Sequence, residues 1–348
     1  MEIREKVRLA PYTTLQVGGE ARYFATATSE PEVLEALCWA RERSLGVFIL
    51  GGGSNLLVSD AGFGGLVLRI AIGGVERREM GGARIFSAGA GVEWDALVAQ
   101  AIGEQCAGIE CLSGIPGSVG GTPVQNVGAY GQDVSESIAR VAAIDAERME
   151  PVEFQAVECG FSYRHSRFNT TDRGRYVITR VDYALRPGGA PKIAYADLKR
   201  HFSPESMSGE SVPSLAKVRE AVLAIRRSKG MVLDENDPES RSAGSFFKNP
   251  VVSRAEYERI AAAAGQVPHY DADEGKVKLA AAWLIEQSGM TKGFAVGRAA
   301  ISTKHTLALV NRGDASADDI ARLMRHVQDR VRKRFGVELQ PEPVMLGF

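Results

Sequence analysis

Two glycine-rich segments, each entered from an apolar run, most narrow what this chain can fold into. The first follows VFIL (47–50) directly and reads Gly51, Gly52, Gly53, Ser54, Asn55. The second lies in a loop spanning roughly 108–131 and carries Gly117, Ser118, Gly120, Gly121, Gln125, Asn126 and Gly128. Without a Cβ in the way, successive backbone N–H groups converge on a small anion, and Ser54 and Asn55 add side-chain donors. Either cluster alone also reads as a tight surface turn. Two clusters of the same chemistry favour one extended dinucleotide lying between two α/β lobes. Neither segment is a G-x-x-x-x-G-K-[ST] loop, and Leu56 breaks G-x-G-x-x-G, which disfavours P-loop NTPases and Rossmann dinucleotide sites.

The rest of the amino-terminal part fits an α/β reading. ARYFATA (21–27) predicts a strand, and Ser29 with Glu32 predicts a capping box ahead of a helix carrying Val33, Leu34, Leu37 and Cys38 at helical spacing. LVLRI and RIFSAG predict further strands, 92–105 a second helix, and 139–186 a strand-rich stretch. A polar stretch at about 203–213, with Pro204, Gly209 and Pro213, is the expected boundary. Helices are expected beyond it at 214–227, 253–264 and 277–288. A strand at 306–310, a long helix from about Ser316 to Phe335 and a final strand PVMLG complete the pattern.

At 348 residues, with 45% hydrophobic and 24% charged residues, the chain has material for two or three domains and a substantial core. A net charge of −1 gives no general pull toward nucleic acid or anionic membrane. The basic run at 330–334 reads as the solvated end of a helix. Cys38, Cys106, Cys111 and Cys159 lack C-x-x-C spacing, so reduced thiols, no metal site and a cytoplasmic protein are expected. No apolar run reaches the ~18 residues of a spanning helix, and the N-terminus lacks a signal peptide's apolar stretch.

The heptad GSFFKNP (244–250) places Ser245 between a glycine and two phenylalanines. Phe247 stands where a G-x-S-x-G elbow needs glycine, so Ser245 suits proton delivery in a dry setting better than acyl transfer. GGGSNLLVSD, GIPGSVGGTPVQNVGAYG, YRHSRF, GSFFKNP and the terminal LQPEPV occur in the order found in UDP-N-acetylenolpyruvoylglucosamine reductases, and the chain resembles that family from about Thr13 to Leu346. The resemblance implies an α+β protein: a vanillyl-alcohol-oxidase/PCMH-type FAD-binding domain of two α/β subdomains, plus a carboxy-terminal α+β substrate-binding domain. The division it implies is 1–70 with about 336–348 returning, then 71–208, then 209–335.

The activity so implied is NADPH-dependent reduction of UDP-N-acetylglucosamine enolpyruvate to UDP-N-acetylmuramate in peptidoglycan precursor synthesis. FAD is expected to be bound non-covalently through both glycine segments, with no metal. Hydride would reach the terminal enolpyruvyl carbon from the flavin, and Ser245 would protonate the adjacent carbon. Arg164 in YRHSRF matches the family's carboxylate-binding arginine, and Glu342 in QPEPV the glutamate that works beside it. Tyr195 matches the tyrosine of the branch that closes an extra loop over the nucleotide. Lys229 and Asn249 match residues near the UDP diphosphate. The chain departs from the family pattern at Pro343 and Gln340, which points to an altered backbone around Glu342. His165, His269, His305 and His326 are scattered without ligand spacing and receive no chemistry. A monomer is expected. An alcohol or hydroxy-acid oxidase on the same FAD scaffold is the rival reading, and a non-catalytic flavin or nucleotide-sugar binder the more distant one.

Overall fold

The computed structural model describes residues 1–203, 212–272 and 275–348. The chain divides into two compact units: Met1–Val7, Ala21–Gly53 and Phe63–Ser228 form the first, and Arg8–Glu20, Ser54–Gly62 and Lys229–Phe348 the second. The expected boundary at 203–213 lies largely on residues 204–211, outside the described residues.

In the first unit, Phe63–Ile70 pairs in parallel with Glu20–Ala27 on one side and Val47–Leu50 on the other. Parallel neighbours need a crossover, and helix α1, Glu30–Glu42, supplies one. Ser29 caps it as its spacing requires, accepting the Glu32 N–H at 3.5 Å. The Glu32 carboxylate, however, turns to the backbone N–H and hydroxyl of Thr28, at 2.6 and 2.7 Å, so the return arm of the expected box lands one residue early. The second sheet is antiparallel: Val75–Met80, Ala83–Gly89, Tyr176–Pro187, Ile138–Asp145 and Glu150–Gln155 lie in that order. Helix α2, Trp94–Gly103, buries Trp94, Leu97, Val98 and Ala101 in the same core as Leu68, Phe86, Val141 and Tyr183. The unit also holds α3, Ala196–His201, and α4, Leu215–Ser228.

Two buried aromatic side chains fasten the second glycine loop to that core. Trp94 donates its indole N–H to the Leu112 carbonyl at 3.1 Å, and the Tyr183 hydroxyl meets Thr122 Oγ1 at 2.6 Å. Both polar tips are satisfied by loop atoms, as burial demands.

In the second unit, Val251–Ser253, Lys276–Leu279 and His269–Asp271 form one antiparallel sheet, and Ala295–Val296, Ala299–Ile301 and Leu309–Asn311 another. Its helices are α5, Arg254–Ala264; α6, Ala281–Gln287; and α7, Ala317–Phe335. The helix expected over 277–288 is therefore corrected: KVKL is strand, and only 281–287 is helical. Val277 and Leu279 alternate with Lys276 and Lys278, a two-residue period that buries one face between strand neighbours. The strand expected at 306–310 shifts to Leu309–Asn311, because Ala308 N–H closes a turn on His305 O at 3.0 Å. Helix α7 follows its pattern, with Ile320, Leu323, Val327 and Val331 fully buried. Ser316 and Asp319 form a reciprocal capping box, and Gly336, at φ 71°, ends the helix just after the basic run. The carboxy-terminal strand Val344–Leu346 pairs in parallel with Leu56–Val58.

Asp145 illustrates how a strand end is secured. Its Oδ1 accepts the Glu147 and Arg148 N–H groups, turning the chain toward the next strand, while Oδ2 receives Arg175 Nε and Nη2 at 3.1 and 2.7 Å. These bonds, Arg175 foremost, outweigh burial and hold the carboxyl at about 2. An unfolded aspartate titrates near 3.9, so folding favours the ionised form. That stabilisation is present above about pH 4 and is lost as pH falls toward 2. We predict that Asp145→Asn lowers the urea midpoint at pH 7 and flattens its fall between about pH 5 and 2. Equal slopes for variant and wild type would refute this assignment.

Candidate active site

The two glycine segments touch. A Cβ built on Gly52 would lie 2.5 Å from Gly117 Cα, and one on Gly51 would lie 2.8 Å from Ser118 Oγ. Side chains larger than hydrogen are therefore excluded where the backbones abut. Gly53 at φ 64° and Gly117 at φ 130° occupy conformations that suit glycine. Ser118 is buried, and its hydroxyl has no partner among the described residues. Burial without a partner is costly for a hydroxyl. A polar ligand placed here would relieve that cost, which fits the group the glycine pattern implies.

Other candidates in the second loop serve different ends. Gly120 packs against Ala90, whereas Gly121 has open space where a side chain would be. Asn126 spends its amide on structure, donating to Ser162 O at 3.0 Å and accepting from Ser135 N at 3.2 Å. Gly128 makes room for Asp133, whose Oδ1 lies 1.5 Å from where a Cβ would sit. Gln125 is half-buried in the same loop. Ser54 and Asn55 belong to the second unit, where Ser54 O accepts from Thr14 Oγ1 at 3.3 Å.

Sequence reasoning missed the group that fixes the loop's entry. Asp95, in the first turn of α2, accepts the Gly114 N–H at 2.6 Å and both guanidinium arms of Arg219, at 2.6 and 2.7 Å. Burial opposes ionisation of Asp95, but the bonds from Arg219 and Gly114 win and keep its carboxyl below the usual range. Only the acidic residue in a helix's first turn was visible as a signal. Its partner lies 124 residues away.

Arg164 sits in a tight turn closed by paired backbone hydrogen bonds between Ser162 and His165, at 3.0 and 3.1 Å. Its φ of 58° is unusual for a side-chain-bearing residue and marks stored strain. The guanidinium donates to Gly128 O at 2.7 Å and Asn126 O at 3.4 Å, and lies 4.0 Å from Asp133. Arg164 is thus gathered onto the second glycine loop. Arg167, three residues on, pairs with Asp172 at 2.7 Å. Tyr195 precedes α3 and packs edge-on against Tyr130, ring centroids 5.5 Å apart.

In the second unit the residues just after Ser245 form a short ladder with the segment that carries Glu342. Glu342 N–H donates to Phe246 O at 2.8 Å, and Lys248 N–H to Gln340 O at 3.0 Å, with Phe247 opposite Pro341. Pro341 and Pro343 have no N–H, so Glu342 supplies the one backbone donor of that triplet. Its carbonyl in turn accepts from Asn55 Nδ2 at 3.2 Å. The two prolines thus leave the glutamate's backbone anchored on both sides. Phe246 and Phe247 are fully buried, and Ser245 is half-buried at their edge after Gly244, at φ 70°.

Asn249 Oδ1 accepts the Ala281 N–H at 2.9 Å, capping α6 where Ala280 has no side chain to do so. Lys229 follows α4 and approaches His305 closely enough to act on it. Burial, then Lys229 and Lys292, bring the His305 imidazole down to about 4.

Residues 21–147 match the family described as FAD binding domain, and residues 237–346 the family described as UDP-N-acetylenolpyruvoylglucosamine reductase, C-terminal domain. The first match contains both abutting glycine segments. We predict that Gly52→Ala forces them apart and weakens FAD binding at least tenfold, about 1.4 kcal/mol, read from flavin retained after gel filtration. Full retention would mean that the close contact does not shape the cradle. The chain is 47% identical to the UDP-N-acetylenolpyruvoylglucosamine reductase of Streptomyces avermitilis over 97% of this chain and 93% of that protein. It is 48% identical to that of Nocardia farcinica over 99% and 90%. The crystal structure of the Thermus caldophilus enzyme superposes with a TM-score of 0.68 at 26% identity, covering 99% of this chain and all of that one. The chain therefore belongs to the UDP-N-acetylenolpyruvoylglucosamine reductase family, an FAD-binding domain joined to that family's carboxy-terminal domain.

Proposed function

We propose that this protein reduces the enolpyruvyl ether of UDP-N-acetylglucosamine enolpyruvate to a lactyl ether, yielding UDP-N-acetylmuramate for peptidoglycan precursor synthesis. Similarity to a named reductase at 47% identity over 97% of the chain carries this reading. FAD held by the two glycine segments would supply hydride chemistry between NADPH and the enolpyruvyl double bond.

The chain's own residues do the rest. Gly51, Gly52, Gly53, Gly117 and Ser118 hold the cofactor's anionic part, with Ser54, Asn55, Gly120, Gly121, Gln125, Asn126 and Gly128 completing the two segments. Arg164 binds the substrate carboxylate through a guanidinium fork that stays charged. Its anchoring on the Gly128 and Asn126 carbonyls supports a fixed direction. Glu342 works on the charge that builds beside that carboxylate, from a backbone held at both N–H and C=O. Ser245 gives its hydroxyl proton to the carbon adjacent to the carboxylate. The buried Phe246 and Phe247 support that assignment, because they exclude water from one side of it. Lys229 and Asn249 contact the diphosphate, and Tyr195 covers the nucleotide as in the branch with the extra loop.

FAD is held without a covalent bond. Burial raises the thiol of Cys106 and pushes that of Cys111 up to about 12, so neither offers a thiolate for attachment. The protein acts as a cytoplasmic monomer, and no helix among the described residues is long and apolar enough to cross a membrane. The three-part division by role, 1–70 with 336–348, 71–208 and 209–335, remains part of this reading.

Stopped-flow measurement separates the two half-reactions. We predict that Ser245→Ala leaves reduction of the flavin by NADPH unchanged and slows its reoxidation by the enolpyruvyl substrate by ~10²–10⁴. Fast reoxidation in the variant would remove Ser245 from the mechanism.

A further inference from the structure

Residues 94 and 95 hold both ends of the glycine turn that begins the second segment. Trp94 N–H donates to Gly117 O at 3.0 Å, and Asp95 Oδ1 accepts the Gly114 N–H at 2.6 Å. Gly117 is the residue against which Gly52 abuts, so the position of 114–117 sets how closely the two segments meet. Gly114 lies at φ 71°, outside any helix or strand, and Asp95 takes up its N–H. The carboxylate is itself fixed by a bidentate fork from Arg219 on α4. Both side chains are mostly shielded, 25% and 19% exposed, so the pair is not a solvated surface bridge.

We propose that Asp95 and Arg219 are positioning residues for the flavin cradle: Arg219 locks Asp95, and Asp95 sets the glycine turn 114–117 against Gly52. Neither residue belongs to the glycine segments, and the inference rests on the reading that FAD binds there. A carboxamide at position 95 keeps the shape and one oxygen but presents an NH₂ to a guanidinium that can only donate. The fork then opens and the turn is held less firmly.

Flavin-free full-length protein titrated with FAD, followed by quenching of flavin fluorescence, tests this directly. Asp95→Asn is expected to raise the FAD dissociation constant about tenfold or more. Arg219→Lys, which keeps the charge and loses the fork, is expected to give a smaller rise in the same direction. The double variant should be no weaker than Asp95→Asn alone, since the two residues act in series. Thermal unfolding of the flavin-free variants supplies the control. Lower unfolding temperatures with dissociation constants within about twofold of wild type would show a merely structural pair and overturn the proposal. Strictly additive losses would overturn the series arrangement. If flavin-free Asp95→Asn does not fold, Arg219→Lys decides, and an unchanged dissociation constant contradicts the proposal. Failure of the wild type itself to take up FAD would instead defeat the cofactor reading beneath it.

Discussion

The backbone contact between Gly52 and Gly117 is the constraint on which the first unit's chemistry depends. Two loops from different sheets meet with no side chain between them. The first follows the half-buried parallel strand Val47–Leu50, and the second is tied down by the buried Trp94 and Tyr183, which bond Leu112 O and Thr122 Oγ1. Hydrophobic packing thus fixes where backbone donors point, and the donors define the kind of ligand accepted. Arg164 joins the same loop through the carbonyls of Asn126 and Gly128, so its guanidinium is tied to the segment that abuts Gly52.

The second unit solves a separate problem with different means. There the segment that follows Ser245 and the segment that carries Glu342, about a hundred residues apart in sequence, form one short ladder. Prolines on either side of Glu342 remove competing donors, and two buried phenylalanines close one side of Ser245. Strained or special backbone recurs at these points, at Arg164 and Gly244 as at Gly53 and Gly117. Such conformations persist where the surrounding structure holds them in place.

Much of this was legible in the sequence because the signals were local. The glycine clusters, the strand at 21–27, the helix capped by Ser316 and the heptad around Ser245 each announce themselves within a few residues. The order of the motifs pointed to the family that full-length similarity then showed. What stayed hidden was non-local. The run at 277–288 carried apolar residues compatible with a helix, and strand neighbours at 251–253 and 269–271 recruited its first part. The partners of the Asn126 amide, Ser162 O and Ser135 N, lie 36 and 9 residues away and left no local trace. Asp95 and Arg219 gave no hint of each other, since only the fold brings them together.

An anaerobic absorbance spectrum of the purified protein, taken before NADPH, after NADPH and after the enolpyruvyl substrate, tests the central claim most directly. The account predicts a visible flavin band that NADPH bleaches and UDP-N-acetylglucosamine enolpyruvate restores. Colourless protein that takes up no added FAD, or reduced flavin that the substrate fails to reoxidise, would contradict it.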